Sequence, residues 1–288
     1  MNGIVVISKE AGYTSFDVCA ILRRLLNTKK VGHTGTLDPD AEGVIVVCVG
    51  NATGAVSILT AHEKEYICTM RLGIDTDTYD VSGVVTAEGR YDFSDREIED
   101  VLNGFVGEQL QVPPKYSAIK VNGKRLYSYA RNNEEVELPK REIKINDIRI
   151  LDINIPTIKF KISCEKGTYI RSICHDAGIR LGSYACMERL FRTRVGAFGI
   201  NDAITLSELE KMVVSGDYSF LRSVDSCFDY PKLIIEKEND ILLYNGNKLP
   251  IANCDNGRYL TYDSKGAFKG IYEKFDSSDV LKPVKLFL

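Results

Sequence analysis

The apolar positions of this chain fall into two rhythms. GIVVIS (3–8) and VIVVCVG (44–50) are short unbroken apolar runs, the signature of strands buried on both faces. Between them, Val18, Ile21, Leu22, Leu25 and Leu26 recur at helical spacing behind TSFD, where Thr14 or Ser15 can cap the first turn. A short helix is predicted around 52–61. At 65–73, Tyr66, Cys68 and Met70 alternate with Ile67, Thr69 and Arg71, which predicts a strand buried on one side. The acidic DTDTYDVSG (75–83) has the composition of a turn.

Ser94 with Glu97 makes a capping box that opens a helix, and Ser207 with Glu210 marks another near 205–214. Alternation returns at 142–151 and 157–164. GTYIRSICHDAGIRLG (167–182) is helical, with Ile170, Ile173, Cys174, Ala177 and Leu181 on one face. Strands and helices interleave irregularly, so the fold class is α+β. Past residue 229 the chain breaks into short segments (LIIE, RYLTYD, FKGIYEKF, PVKLFL) parted by turn residues, which predicts a small β-rich, barrel-like appendage. The expected division is 1–229 and 230–288.

Composition narrows this picture. With 288 residues, 44% hydrophobic and 27% charged, the chain has enough apolar mass for a sizeable core. No run is long enough for a membrane helix, and MNGIVVISKE lacks the form of a signal peptide, so a cytoplasmic location is expected. The eight cysteines form no C-x-x-C pair and read as small buried hydrophobes. The net charge is −3, but positive charge is concentrated at 115–149 and 159–194. That distribution is compatible with binding a phosphate backbone and equally with a solvated surface.

The most chemistry-laden stretch is GHTGTLDPDAEG (32–43). It lacks the lysine and following Ser or Thr of a nucleotide-phosphate loop, and its acids do not follow calcium-loop spacing. A single positioned carboxylate, Asp38, is the remaining functional reading beside that of an exposed acidic turn. Pro39 biases Asp38 toward extended backbone, and the flanking glycines would let backbone approach a ligand closely. In KGTYIR (166–171), Arg171 is available to pair with a carboxylate and Tyr169 to present a ring, or the segment is an ordinary helix start. VPPKYSAIKVNGKRLYSYAR (112–131) interleaves lysines and arginines with tyrosines, a mixture suited to looped RNA. It reads equally as a lysine-rich hairpin leading into an amphipathic helix.

Taken together, IVVISKEAGYTSFD, VGHTGTLDPDAEGV, EYICTMRLG with DTDTYDVSG, VPPKYSAIKVNGKRLYSYAR, KGTYIRSICHDAGIRLG and LFRTRVGAF resemble the TruB family of tRNA pseudouridine synthases across roughly residues 4–198. The tail is similar to the small PUA-type RNA-binding domain of many members. The resemblance implies a pseudouridine synthase core with a mixed, mostly antiparallel sheet flanked by helices. It further implies isomerisation of uridine 55 in the T-loop of tRNA by a stand-alone monomer that needs no protein partner, cofactor or metal. By the same likeness Asp38, Tyr66 and Arg171 are the catalytic set, and His33, Tyr169, Lys9 and Leu190 contact substrate. Whether the carboxylate attacks the ribose or removes a sugar proton stays open. A non-catalytic RNA-binding relative, a nucleotide hydrolase and an RNA-guided enzyme are the rival readings. Glu10 and Ala197 stand where the family usually has proline, and Asp40 and Glu42 stand where it has leucine and threonine.

Overall fold

A computed structural model describes residues 1–132, 134–250, 254–275 and 279–288. Its largest unit is a mixed sheet. The first strands are β1 (Gly3–Lys9), β2 (Val31–His33) and β3 (Glu42–Val49), with helix α1 (Ser15–Leu25) between β1 and β2. A 3-10 segment (Gly50–Ala55) and α2 (Val56–Thr60) lead to β4 (Lys64–Leu72). The small hairpin β5 (Ile74–Thr76) and β6 (Val85–Glu88) carries the acidic loop and precedes α3 (Asp95–Asn103) and β7 (Gly107–Gln111). A two-stranded hairpin, β8 (Lys120–Val121) and β9 (Lys124–Arg125), runs into α4 (Leu126–Arg131). The long pair β10 (Arg141–Asn154) and β11 (Thr157–Cys164) is followed by α5 (Ile170–Arg180), β12 (Ala185–Val195), β13 (Phe198–Gly199) and α6 (Leu206–Ser215).

The order across the sheet is β1-β3-β12-β4-β11-β10-β7, with β2 on β3 and β13 on β12. Every pairing is antiparallel except β3 with β12. The two hydrophobic rhythms of the sequence map onto its two halves. In β1 and β3, Val5, Ile7, Ile45 and Val47 face α1 and α6, while Ile4, Val6, Val44 and Val46 pack against the 3-10 segment and Phe198. Both faces are covered, so the run is continuous. In β4 and β11 only one face is deeply buried: Tyr66, Cys68, Met70, Ile158, Phe160 and Ile162 join α3 and α5 in one core. Alternation follows from that.

Two expectations need correction. The α6 cap is Thr205 with Glu208, not Ser207 with Glu210: the Thr205 hydroxyl accepts from the Glu208 amide at 3.1 Å and Ser207 lies inside the helix. Strand β12, at the centre of the sheet, was missing from the alternation pattern. Bulges between Met187 and Arg189 and between Arg192 and Arg194 reset its phase twice, and a buried arginine interrupts it.

The C-terminal strands β14 (Lys232–Ile234), β15 (Leu249–Pro250), β16 (Gly257–Tyr262), β17 (Phe268–Lys274) and β18 (Val280–Leu286) form a separate sheet, ordered β14-β16-β17-β18-β15, with helix α7 (Asp240–Tyr244) beside it. It rests on the main unit through Phe268 and Phe287, which pack near Ile58 and Phe228. Seven of the eight cysteines are buried and Cys254 is half-buried. No helix among the described residues is long and apolar enough to cross a membrane.

Candidate active site

The segment 34–41 leaves β2, crosses the C-terminal end of β1 and returns into β3. Its backbone is held carbonyl by carbonyl. Arg192 donates to Gly35 O (3.1 Å) and Thr36 O (3.4 Å). The Ser15 hydroxyl donates to Leu37 O and accepts from the Leu37 amide. Asp38 O accepts from the Ala41 amide. Pro39 O accepts from the Gly12 amide at 3.0 Å and from Lys9 Nζ at 2.9 Å. Five successive carbonyls are thus occupied, which fixes the one side chain the loop turns outward, Asp38.

Of the loop's glycines, Gly43 serves this packing. Gly43 has φ +100°, and a Cβ there would lie 2.2 Å from Arg192 O, where β3 and β12 run side by side. Around Gly35 the nearest atoms, Arg192 Nη1 and Lys64 Cε, are both 3.5 Å from a Cβ position, an ordinary contact.

Arg171 reaches Asp38 from the first turn of α5. Its Nε lies 3.0 Å from Oδ2 and its Nη2 donates to Oδ1 at 3.2 Å, a two-pronged pair that only a guanidinium makes. The remaining donors go to Thr78 O and Tyr116 O, both at 3.0 Å, and Nη1 lies 3.6 Å from Asp80 Oδ2. The helix start is pinned by Gln111, whose side chain exchanges two hydrogen bonds with the backbone of Tyr169. Asp80 is pre-set in turn: its Oδ1 accepts from the Ser82 amide and from the Thr78 and Ser82 hydroxyls, leaving Oδ2 to face the arginine.

Asp38 keeps 37% of its side-chain surface open, yet it sits on the floor of a concave cleft with protein around most of it. Loss of water pushes its carboxyl above the usual carboxylate value; Arg171 pulls it back and Asp80 adds to the rise. The net direction is upward, so burial and the second carboxylate outweigh the guanidinium. Asp40 and Glu42 are exposed. Their charge acts on Lys9, where with Asp38 they oppose the lowering that burial imposes on that ammonium.

The cleft, about 880 Å³, is lined by His33, Asp38, Tyr66, Tyr169, Arg171 and Leu190. An adjoining cavity of about 480 Å³ shares Asp38, Arg171 and Leu190 and extends toward Asp80 and Arg131. Six of the seven residues singled out from the sequence therefore meet in one place. Lys9 is elsewhere: it is 1% exposed, and its ammonium donates to the carbonyls of Glu10, Tyr13 and Pro39. It is a clamp beneath the loop, not part of the cleft wall. His33 Nδ1 accepts from the Gly35 amide at 3.4 Å, and burial and Arg192 lower its pKa, so it presents a neutral ring with the proton on Nε2. Tyr66 is 8% exposed, and burial raises its phenol. From the lysine-rich hairpin, Tyr116, Lys120, Arg125 and Tyr127 line the cleft, while Lys124 is spent on Glu134 at 2.7 Å.

Sequence reasoning gave no role to Arg192, Lys64 or Asp80. Arg192 is 1% exposed and donates to the carbonyls of Val44, Gly35 and Thr36, and it also acts on the Tyr66 phenol. Lys64 donates to Thr60 O and His62 O, and burial first, then Arg192, lowers it to about 8. Both line the cleft. An arginine in a strand-like LFRT run was the available signal for the first, and a carboxylate between Thr and Ser donors for the last. The Arg192→Met protein should lose roughly 3 kcal/mol of stability, since the buried carbonyl of Val44 and the part-buried carbonyls of Gly35 and Thr36 are left without this donor. A lowered urea midpoint with an unchanged slope checks this.

Comparison with known proteins matches two family models to the chain: "TruB family pseudouridylate synthase (N terminal domain)" over residues 23–170 and "tRNA pseudouridylate synthase B C-terminal domain" over 171–227. The loop bearing Asp38 falls in the first and Arg171 opens the second. The chain is 41% identical over 307 residues to the tRNA pseudouridine synthase B of Lachnoclostridium phytofermentans, and 42% over 289 residues to that of Fusobacterium nucleatum. In both cases all of each chain is covered. Among solved structures, a chain of a Cbf5-Nop10-Gar1 complex matches with TM-score 0.74 at 26% identity, covering 99% of this chain and 85% of that one. A chain of an H/ACA RNP bound to a substrate RNA containing 2'-deoxyuridine matches with TM-score 0.73 at 25% identity, again covering 99% and 85%.

Proposed function

Since the chain belongs to the TruB family of pseudouridylate synthases, we propose that Asp38 is the carboxylate with which it isomerises uridine to pseudouridine at position 55 of tRNA. One observation carries the assignment: the two-pronged contact of Arg171 on Asp38, at 3.0 and 3.2 Å, inside a cleft wide enough for a nucleotide.

The reaction breaks the N1–C1′ bond, turns the uracil and joins C1′ to C5; C5 gives up its hydrogen as a proton and N1 gains one, with no net redox change and no leaving group. What it needs from the protein is a group that answers the ribose while the base is detached. An ionised carboxylate serves either as nucleophile at C1′ or as acceptor of a sugar proton. In our reading Arg171 keeps that carboxylate ionised and aimed, and the Tyr66 ring and Leu190 bound the slot for the uracil. Tyr169 and neutral His33 hold the displaced loop. Lys120, Arg125 and Lys166 give the cleft wall its positive charge for phosphates. Extruding the base costs on the order of a few kcal/mol, which a loop substrate already partly meets. Lys9 acts here through Pro39, by fixing the loop.

We further propose that 1–229 is the catalytic unit and 230–288 an RNA-binding unit, on the strength of their separate sheets. We read the chain as a cytoplasmic monomer that works without a protein partner, because it matches the bacterial tRNA pseudouridine synthase B chains over their whole length. Tritium release from uridine-labelled tRNA, wild type against Asp38→Asn, tests the central assignment.

The acid limb of the rate offers a finer check. The active form is ionised, and the folded Asp38 carboxyl lies above its ordinary value. Single-turnover rate should therefore begin to fall, as pH drops, at a pH higher than an ordinary aspartate gives. Asp80→Asn removes a charge that raises Asp38, so the limb should move to lower pH. A limb that stays put in this variant would contradict the coupling.

A further inference from the structure

The acidic loop between β5 and β6 is gripped by α5 at two points one turn apart, and only the first belongs to the site described above. Arg171 takes Thr78 O and faces Asp80. Four residues on, and so on the same helix face, His175 meets the residue between them. The Tyr79 ring lies on the imidazole, centroids 3.9 Å apart and planes 14° from parallel. His175 Nδ1 is in turn 3.0 Å from Asp75 Oδ1, in β5 just ahead of the loop. Tyr79 has φ +63°, a left-handed backbone that bulky residues rarely adopt. Its carbonyl accepts from the Met187 amide, and Val81 donates back to Met187 O, which ties the loop to β12.

That conformation is what sends Thr78 and Asp80 to one side and the Tyr79 ring to the other. The stack is not core packing. Tyr79 and His175 are only partly buried and line a cavity of about 870 Å³ with Asp75, Asp77 and Lys115, and Tyr79 joins none of the hydrophobic clusters found among the described residues. A glycine would meet the backbone demand without strain, so the ring itself needs an explanation.

We propose that Tyr79, stacked on His175, is a positioning residue that sets Asp80 and the Thr78 carbonyl against Arg171 and thereby aims Arg171 at Asp38. The inference rests on Asp38 and Arg171 being catalytic. It adds that loop placement, rather than any contact of Tyr79 with RNA, controls the rate.

The test uses the full-length protein with a T-stem-loop tRNA, measuring single-turnover pseudouridine formation, Kd and thermal midpoint. Tyr79→Gly keeps the backbone conformation and removes the stack; its rate should fall about 10- to 100-fold, the scale of a small misplacement of reacting groups, with Kd within about twofold. Tyr79→Phe keeps the ring face and should stay within about twofold of wild type in both. His175→Ala should resemble Tyr79→Gly, and His175→Phe, which can still stack, should be the faster of the two. If Tyr79→Gly does not fold, the His175 pair decides by the same order. A wild-type rate in Tyr79→Gly, a Tyr79→Phe as slow as Tyr79→Gly, or a loss of affinity equal to the loss of rate would overturn the proposal. Asp38→Asn run alongside separates the two failures: if it turns over, the catalytic assignment falls; if it is dead while Tyr79→Gly is normal, only the positioning role falls.

Discussion

Asp38→Asn is expected to form no pseudouridine, a loss of at least roughly 10⁴-fold in single-turnover rate, while binding tRNA within about threefold of wild type. The amide is nearly the shape of the carboxylate and can still accept from Arg171 with its oxygen, so the five loop carbonyls and their donors are undisturbed. What disappears is the negative charge, and with it both the nucleophile and the proton acceptor. The substitution thus removes chemistry and leaves architecture. It also takes one charge off the Asp38–Arg171–Asp80 set, where burial already penalises the ionised carboxyl. The variant should therefore be at least as stable as wild type in urea. Appreciable turnover, or a drop in tRNA affinity matching the drop in rate, would remove Asp38 from the reaction.

The loop's local residues, a histidine, a proline and small neighbours, made Asp38 a candidate in the sequence, and the family likeness chose it over an exposed acidic turn. Arg171 was legible for the same reason, at the head of an apolar-striped helix. The double-faced burial of β1 and β3 and the one-faced burial of β4 also followed from the spacing of apolar residues. The parts that stayed hidden are those whose meaning depends on what the chain brings to them. Arg192 reads as one basic residue among several until β12 is laid beside β3, where its side chain runs under Gly35 and Thr36. Asp80 reads as turn composition until Thr78 and Ser82 take one of its oxygens and leave the other facing Arg171. Lys9 differs in the opposite direction. The family likeness set Lys9 among the substrate contacts, whereas its ammonium donates to three carbonyls beneath the loop. The unexpected acids, Asp40 and Glu42, set against that buried ammonium and open to solvent, leave the Asp38 carboxyl to Asp80 and Arg171.

Arg171→Ala should lower the single-turnover rate by about 10³-fold or more, with tRNA affinity changed far less. The guanidinium is 7% exposed and serves two carboxylates and two carbonyls at once, so no neighbouring cation can take its place. With it gone, Asp38 and Asp80 share a cleft with nothing between them, and the attraction that holds the Asp38 carboxyl down is lost. Its pKa then rises further. The residual rate of the variant should therefore show an acid limb at higher pH than wild type, the reverse of the shift expected for Asp80→Asn. Arg171→Lys restores charge but not the planar fork: an ammonium can meet one Asp38 oxygen, not both oxygens together with Thr78 O and Tyr116 O. It should recover the position of the acid limb more fully than the rate, leaving roughly a 10²-fold deficit. If rate and affinity fall together in both variants, Arg171 is holding phosphate rather than the catalytic carboxylate. If the lysine variant is fully active, charge alone suffices and the two-pronged geometry is incidental.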